Sequence, residues 1–339
     1  MPKDNENIPF LGPVEPSEPL GFPAEQMIRC EECLRANPPT RVSCFYCVAP
    51  LPLTESSARL RKPVLRQPEK HQLGYNNILL PAERVATEIV AEAAALVKLS
   101  AENMQQLMSQ SVPVPVARTA SREEAELVTS RLRDLGLQCV TVSDEELGFS
   151  ETSVKRVRAM RFADERVVIY HSGTEETDIS WPDVILILTA RLIETTIEIK
   201  ERLTRKKENE ILDTNEYFRD EAVIDFYTKT HSFTWRVGAA GFDFSCLGTE
   251  KALVATENIS RLQRVIVAKA VNAQFDDSYQ RVRNLLELAW GTQAETQSSG
   301  WRRERPGLRS IGVATTKSNE NQFTRYSRLR HYLLELNRT

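Results

Sequence analysis

The sequence predicts an α+β chain of several modules: an N-terminal cysteine-rich metal module, a long helix, a β-α-β unit, and a β-rich barrel or sandwich followed by C-terminal helices. Three observations carry this. Four of the six cysteines fall within residues 30–47 as two C-x-x-C pairs. Residues 114–142 set an amphipathic helical stretch between two strand-like ones. From 154 to 248 short β-rich segments alternate with turns and charges, and helical periodicity resumes beyond 255. At about 100–200 residues per domain, 339 residues leave room for two or three folded units. A content of 41% hydrophobic and 27% charged residues fits a globular chain and excludes a wholly disordered or fibrous one.

The net charge of −3 conceals a segmental pattern: zero over 1–80, −9 over 81–299 and +6 over 300–339. An acidic body thus carries a basic tail. Residues 1–26 hold six of the 17 prolines and little periodicity, the composition of a disordered leader. They contain neither a secretory apolar stretch nor an Arg-rich transit helix. In the strand-like middle the longest strictly apolar run, Val184–Leu188, falls far short of the ~20 residues of a membrane helix. The expectation is a cytoplasmic chain with no transmembrane segment, in which clustered cysteines bind metal before they form disulfides.

The elements follow in order. The metal module occupies 27–53, and a basic linker with Arg59, Arg61, Lys62, Arg66 and Lys70 occupies 54–80. Residues 81–111 open with Pro81, are rich in Ala, Glu and Leu, and contain no other Pro and no Gly, so one long helix is expected. Its apolar stripe, from Ile89 through Ala93, Val97 and Met104 to Met108, either docks on the body or pairs with a second copy as a short coiled coil. In the β-α-β unit, 112–149, Val114–Val116 reads as an edge strand. Ser121 and Glu124 form a capping box, Ala125, Val128, Leu132 and Leu135 recur at helical spacing, and Gly136 stops the helix before the strand at Leu137–Val142. The β-rich domain spans 150–290 and ends in helices near 258–272 and 276–290. The basic tail, 291–339, is polar and irregular to 320 and then helical. There Phe323, Tyr326, Leu329, Leu333 and Leu336 line one side, and Arg325 and Arg328 the other.

Cys30-Glu-Glu-Cys33 and Cys44-Phe-Tyr-Cys47 are separated by ten residues. Each pair wraps one side of a tetrahedral Zn²⁺, and four sulfur ligands close the coordination sphere, which describes a structural site with no open catalytic position. So small a segment buries little apolar area, so metal binding itself should fold it.

These residues carry a resemblance. Residues 28–52, with Cys33-Leu-Arg-Ala-Asn37-Pro38 and Cys44-Phe-Tyr-Cys47-Val-Ala-Pro-Leu51, resemble the small bacterial zinc ribbons whose second knuckle reads C-x-x-C-G-A-P-L. Leu34 and Val48 stand where the knuckle glycines would be. The spacing is also similar to that of eukaryotic zinc fingers that bind single-stranded RNA or ubiquitin, whose Trp before the first Cys is Ile28 here. The resemblance implies a Zn²⁺-holding adaptor with many partners and no single activity. Residues 114–147 resemble small signal-transducing domains of ferredoxin-like fold. The block 154–272, around Ile179-Ser-Trp181-Pro-Asp-Val-Ile185, resembles bacterial pleckstrin-homology or GRAM-type barrels.

Motifs for other chemistry are missing. There is no phosphate-cradling P-loop, G-x-S-x-G, H-E-x-x-H or dinucleotide fingerprint, and His71, His171, His231 and His331 lie far apart. Acidic clusters such as Glu175-Glu176 and Asp276-Asp277 sit at turns or helix starts, where carboxylates are ordinary. Cys139 and Cys246 lie in apolar stretches as small hydrophobes. In the tail, Trp301, Arg302, Arg303 and Arg305, with Arg325 and Arg328 on the last helix, combine an aromatic and guanidinium groups suited to a polyanion. The acidic body is an equally available partner for them. The sequence therefore supports a non-enzymatic adaptor that binds proteins. The alternatives are an RNA- or DNA-binding protein using ribbon and tail, and an enzyme whose site in the β-rich domain has no recognised motif.

Overall fold

The four-cysteine segment lies in its own small unit and the remaining elements form a second, the chain dividing at residues 62/63. The structure, a computed structural model, describes residues 21–338 except 53, 55–56, 58–59, 62, 70–71, 82–86, 150–153, 172, 174, 204–208, 299, 301 and 306–307. In the first unit β1 (Ile28–Arg29) and β2 (Ala36–Asn37) pair antiparallel. Ile28 and Leu51 pack against Cys30 and Cys44. The unit continues past the expected linker boundary at 54. Arg61, 1% exposed, donates to the carbonyls of Pro39, Leu51 and Pro52.

The expected linker corrects further at its other end. Residues 75–79 form β3 (Tyr75–Leu79), the middle strand of a three-stranded sheet. It is antiparallel to both β4 (Val114–Thr119) and β5 (Cys139–Ser143). The β-α-β unit therefore has its two parallel strands in one sheet, as the capping box and periodicity indicate, with β3 inserted between them. Burial on both sides of β3 requires its polar side chains to find partners. Asn76 donates to the Val142 carbonyl (3.0 Å), and Asn77 to the Ala125 carbonyl (2.7 Å) and Thr129 (2.9 Å).

The single long helix over 81–111 is also corrected. Residues 82–86 lie outside the described set, and the rest forms α1 (Thr87–Val97) and α2 (Ala101–Met108). Lys98 adopts φ +57°, which no helix tolerates, and Ser100 caps α2 by accepting from Asn103 N–H (3.1 Å). The stripe Ala93, Val97, Met104, Leu107 and Met108 enters this unit's own core, so it is not a free coiled-coil seam. α3 (Arg122–Asp134) starts at Ser121, whose hydroxyl accepts from Glu124 N–H (3.3 Å), and ends at Gly136, φ +81°.

Beyond residue 153 come β6 (Val154–Val157), β7 (Ala159–Phe162), β8 (Arg166–Tyr170), β9 (Glu176–Ser180), β10 (Val184–Leu203), β11 (Asn209–Thr228) and β12 (His231–Gly238). The antiparallel sheet β7-β8-β9 and the run β10-β11-β12-β6 share one core around Ile169, Ile179, Ile187, Phe226, Trp235 and Val237. Ile259, Leu262 and Ile266 of α4 (Ala255–Lys269) complete that core. The end of the β-rich stretch expected to run to 248 is instead a pair of 3-10 turns over Phe244–Glu250, kinked at Gly248.

β10 and β11 form a wall between two cores. Ile187 and Phe226 face the core just described. Leu186, Leu188, Ala190, Val223 and Tyr227 face the other, with α1–α3, α5 (Tyr279–Leu286) and α6 (Glu320–Leu336). β13 (Gln274–Asp276) runs parallel to β10 and ends where the helix expected over 276–290 would begin, that helix being the shorter α5. The stretch 291–320, expected to be irregular, is β-structure: β14 (Gln293–Ser298), β15 (Arg302–Arg305) and β16 (Leu308–Ser318). β16 pairs along the outer half of β10, so the proximal part of the expected basic tail completes a sheet. The protein is thus mixed α/β.

Candidate metal centre

Both C-x-x-C turns adopt the same backbone. Cys30 N–H donates to Arg35 O (2.9 Å), and Leu34 N–H returns to Cys30 O (2.9 Å). In the second turn Cys44 N–H donates to Ala49 O (2.7 Å), and Val48 N–H to Cys44 O (3.0 Å). This hairpin requires a left-handed residue after the second cysteine of each pair. Leu34 (φ +58°) and Val48 (φ +62°) adopt it despite their side chains.

Asn37, fully buried, ties the turns together. Its Oδ1 accepts from Phe45 N–H (2.8 Å), and its Nδ2 donates to Arg35 O (2.9 Å) and lies 3.4 Å from Cys44 Sγ. Spacing arithmetic does not single out Asn37 or Arg61. The one available signal is that a polar residue inside so small a knuckle pair must saturate backbone groups there.

The sulfur atoms lie within 4.8 Å of one another, with Cys30–Cys47 and Cys33–Cys44 each at 3.5 Å. A disulfide needs about 2.05 Å, so the thiols are unbridged. A tetrahedral ion with Zn–S bonds of about 2.3 Å sets sulfurs roughly 3.8 Å apart, which fits these separations. Burial pushes the Cys44 thiol up, but the N–H groups of Cys47 and Tyr46 with the Cys33 and Asn37 side chains outweigh it, to about 6. At Cys47 the backbone at Ala49 lowers the pKa, yet burial and the other three thiols prevail and push it up to about 12. Several thiolates this close repel one another until a cation joins them. Cys30, Cys33, Cys44 and Cys47 would hold a metal ion with no position left for substrate.

The outer face of this unit is apolar. Leu34 is 64%, Phe45 66%, Tyr46 53% and Val48 76% exposed. The Arg35 guanidinium lies 4.6 Å from the Tyr46 ring centre and that of Arg41 5.0 Å from Phe45. Ile28 points into the core.

The candidate polyanion residues separate. Trp301 lies outside the described residues, and Arg302, Arg303 and Arg305 lie on β15. Arg325 and Arg328 are turned inward, which corrects the expectation of a solvent-facing pair. Arg325 pairs with the buried Asp144, which also holds Arg118, Gly74 N–H and Asn76. Arg328 donates to Gly148 O (2.8 Å), and both guanidiniums lie within about 4.5 Å of the Phe149 ring. The last helix is fastened to the 144–149 turn by these cations.

Among the histidines, His171 and His231 both pack against Trp235, 5.2 and 5.8 Å between ring centres, while His331 stacks on Tyr227 at 4.3 Å. His71 lies outside the described residues. Burial pushes the thiols of Cys139 and Cys246 up to about 11, away from nucleophilic character. A cleft of about 950 Å³ between α3, β5 and α6 has several of its charges engaged, Arg122 with Glu126, Arg133 with the Cys139 carbonyl and Glu146 with Ser143. No helix among the described residues is long and apolar enough to cross a membrane. No protein-family model, curated protein or solved structure matches the chain.

Proposed function

We propose that this protein is a non-enzymatic adaptor. In this reading Zn²⁺ on Cys30, Cys33, Cys44 and Cys47 builds a zinc ribbon whose outer face binds a partner protein. The carrying observation is the pair Leu34 and Val48. Each holds a bulky apolar side chain in the left-handed conformation and in water, where a glycine would relieve strain and a polar residue would favour solubility. With Phe45 and Tyr46 they make a rigid apolar patch that the metal presents. A thiolate-bound metal also suits a reducing compartment, which supports cytoplasmic residence. Residues 154–272 are read as a pleckstrin-homology-type barrel in the same proposal, supported by two sheets that enclose one core with α4. The stacked Arg35–Tyr46 and Arg41–Phe45 pairs favour one second reading, single-stranded nucleic acid.

The test uses the full chain. Zinc content near one per chain, lost in Cys44→Ser, supports the metal. A Leu34→Ser/Val48→Ser double variant that keeps zinc but loses the protein captured by the wild type supports the patch. Oligonucleotide binding that weakens steeply with salt and is lost in Tyr46→Ser would replace the protein partner with nucleic acid.

A further inference from the structure

The outer part of the long hairpin carries a second surface, independent of the metal centre. Past the two-core wall, strands run in the order β14-β16-β10-β11 as an antiparallel sheet. Directly paired residues share a face, so the register sorts these side chains. Ile193, Ile197, Ile199, Phe218, Ile311 and Val313 fall on one face, with threonine, alanine and the charged Glu201, Glu216, Asp220 and Lys317 between them. Glu194, Glu198, Lys200, Asn215, Arg219 and Glu295 fall on the other. Hydrogen bonds follow the same alternation: Thr296 meets Thr315 on the apolar face (3.3 Å) and Thr196 meets Thr316 on the polar one (3.0 Å).

None of the six apolar residues belongs to either core, and Phe218 is 67% and Ile197 38% exposed. A sheet wet on both sides has no use for this alternation; one face should be covered. The charges on the apolar face argue against an anionic cover. Asp220 is held by Arg191 (2.7 Å) and Lys317 lies 3.6 Å from Glu287, while Glu201 and Glu216 leave the face slightly acidic, so it does not attract a polyanion. Its size argues for a matching sheet. Three strands about 4.8 Å apart with nine residues each at about 3.3 Å, and the six residues of β14, make a face of roughly 530 Å². Two such faces cover roughly 1,050 Å² together, close to the ~1,000 Å² that a biological interface should clear.

We propose that this face packs on the same face of a second copy of the chain, two sheets stacked about 10 Å apart around a two-fold axis. Dimerisation then runs through the arm, where the sequence had offered the 81–111 stripe. The test is the mass of the full chain in solution by sedimentation and light scattering up to about 100 µM. Wild type should have the mass of two chains. Ile197→Lys and Phe218→Lys, exposed in the single copy and so harmless to its fold, should each reduce it to one chain with unchanged circular dichroism and zinc content. Glu198→Lys on the polar face should leave the dimer intact. A single-chain wild type at the highest concentration overturns the proposal, as does a dimer that survives both apolar-face variants. A monomer that sediments with neutral phospholipid vesicles and is released by Phe218→Lys gives the face to a membrane, and also overturns it.

Discussion

Replacing Val48 by glycine should strengthen the metal unit while weakening its use. Val48 sits at φ +62° and is 76% exposed, so its side chain contributes little burial to the fold. A residue with a Cβ in this region costs about 1–2 kcal/mol, and glycine forfeits about 0.5–1 kcal/mol through the freedom of the unfolded chain. The net gain expected for Val48→Gly is about 0.5–1 kcal/mol, or roughly two- to five-fold in an equilibrium constant. Because metal binding and folding of so small a unit are one process, the gain should appear as tighter zinc retention. Competition against a chromogenic chelator at fixed pH measures it. Val48→Ala keeps the strained Cβ and should stay near wild type. If Val48→Gly yields zinc more readily than wild type while Val48→Ala does not, the left-handed strain assigned to this knuckle is absent and the argument from Leu34 and Val48 fails with it.

Three further outcomes are expected. Arg236, 1% exposed, donates to both carboxylate oxygens of Asp225 (2.7 and 2.8 Å). Arg236→Leu strands that carboxylate and should cost about 3–5 kcal/mol in urea unfolding; a loss under 1 kcal/mol would show that Ser327 alone satisfies Asp225. Burial alone would raise the Asp144 carboxyl, but Arg325 and Arg118 hold it below the usual carboxylate range. Its contribution is then complete above about pH 4, where the unfolded carboxyl is ionised, and falls as pH drops through the lower folded value. Asp144→Asn should flatten this acid limb and lower stability at pH 7, read by tryptophan fluorescence. His331 is pushed below the usual imidazole range by burial, so the unfolded chain takes its proton first and stability should already decline below about pH 6.5. His331→Phe, which keeps the stack on Tyr227, should remove that early decline; an unchanged profile would place it elsewhere.

What the sequence made legible is what depends on near neighbours. Two C-x-x-C pairs, the Ser121 box with its Gly136 stop, and the Phe323–Leu336 stripe each announce themselves within a few residues. The break between α1 and α2 rests on Lys98 turning left-handed, for which lysine carries no signal, although Ser100 three residues before Asn103 is a cap in retrospect. β3 was hidden because Asn76 and Asn77 read as loop residues until their buried partners are known. β14–β16 were hidden because threonine, glycine and serine gain strand character only from pairing with a distant β10. At the candidate metal centre the four clustered cysteines were visible and Asn37 was not, for it acts through a backbone group eight residues away. Arg325 and Arg328 show the limit of charge counting: a helix face rich in arginine is buried when Asp144 and the Phe149 ring wait for it.

The pairing of β10 with β16 also sets a schedule for synthesis. Ser318 is added 90 residues after Thr228, which completes the β10–β11 hairpin, a delay of roughly 4.5–18 s at about 5–20 residues per second. During that interval the β10–β11 hairpin has emerged with one edge of β10 unclaimed, and neighbouring nascent chains carry the same edge. Glu194, Glu198 and Lys200 lie along that edge, where charges would disfavour the growing hairpin joining another ribosome's product before its own C-terminal strand arrives.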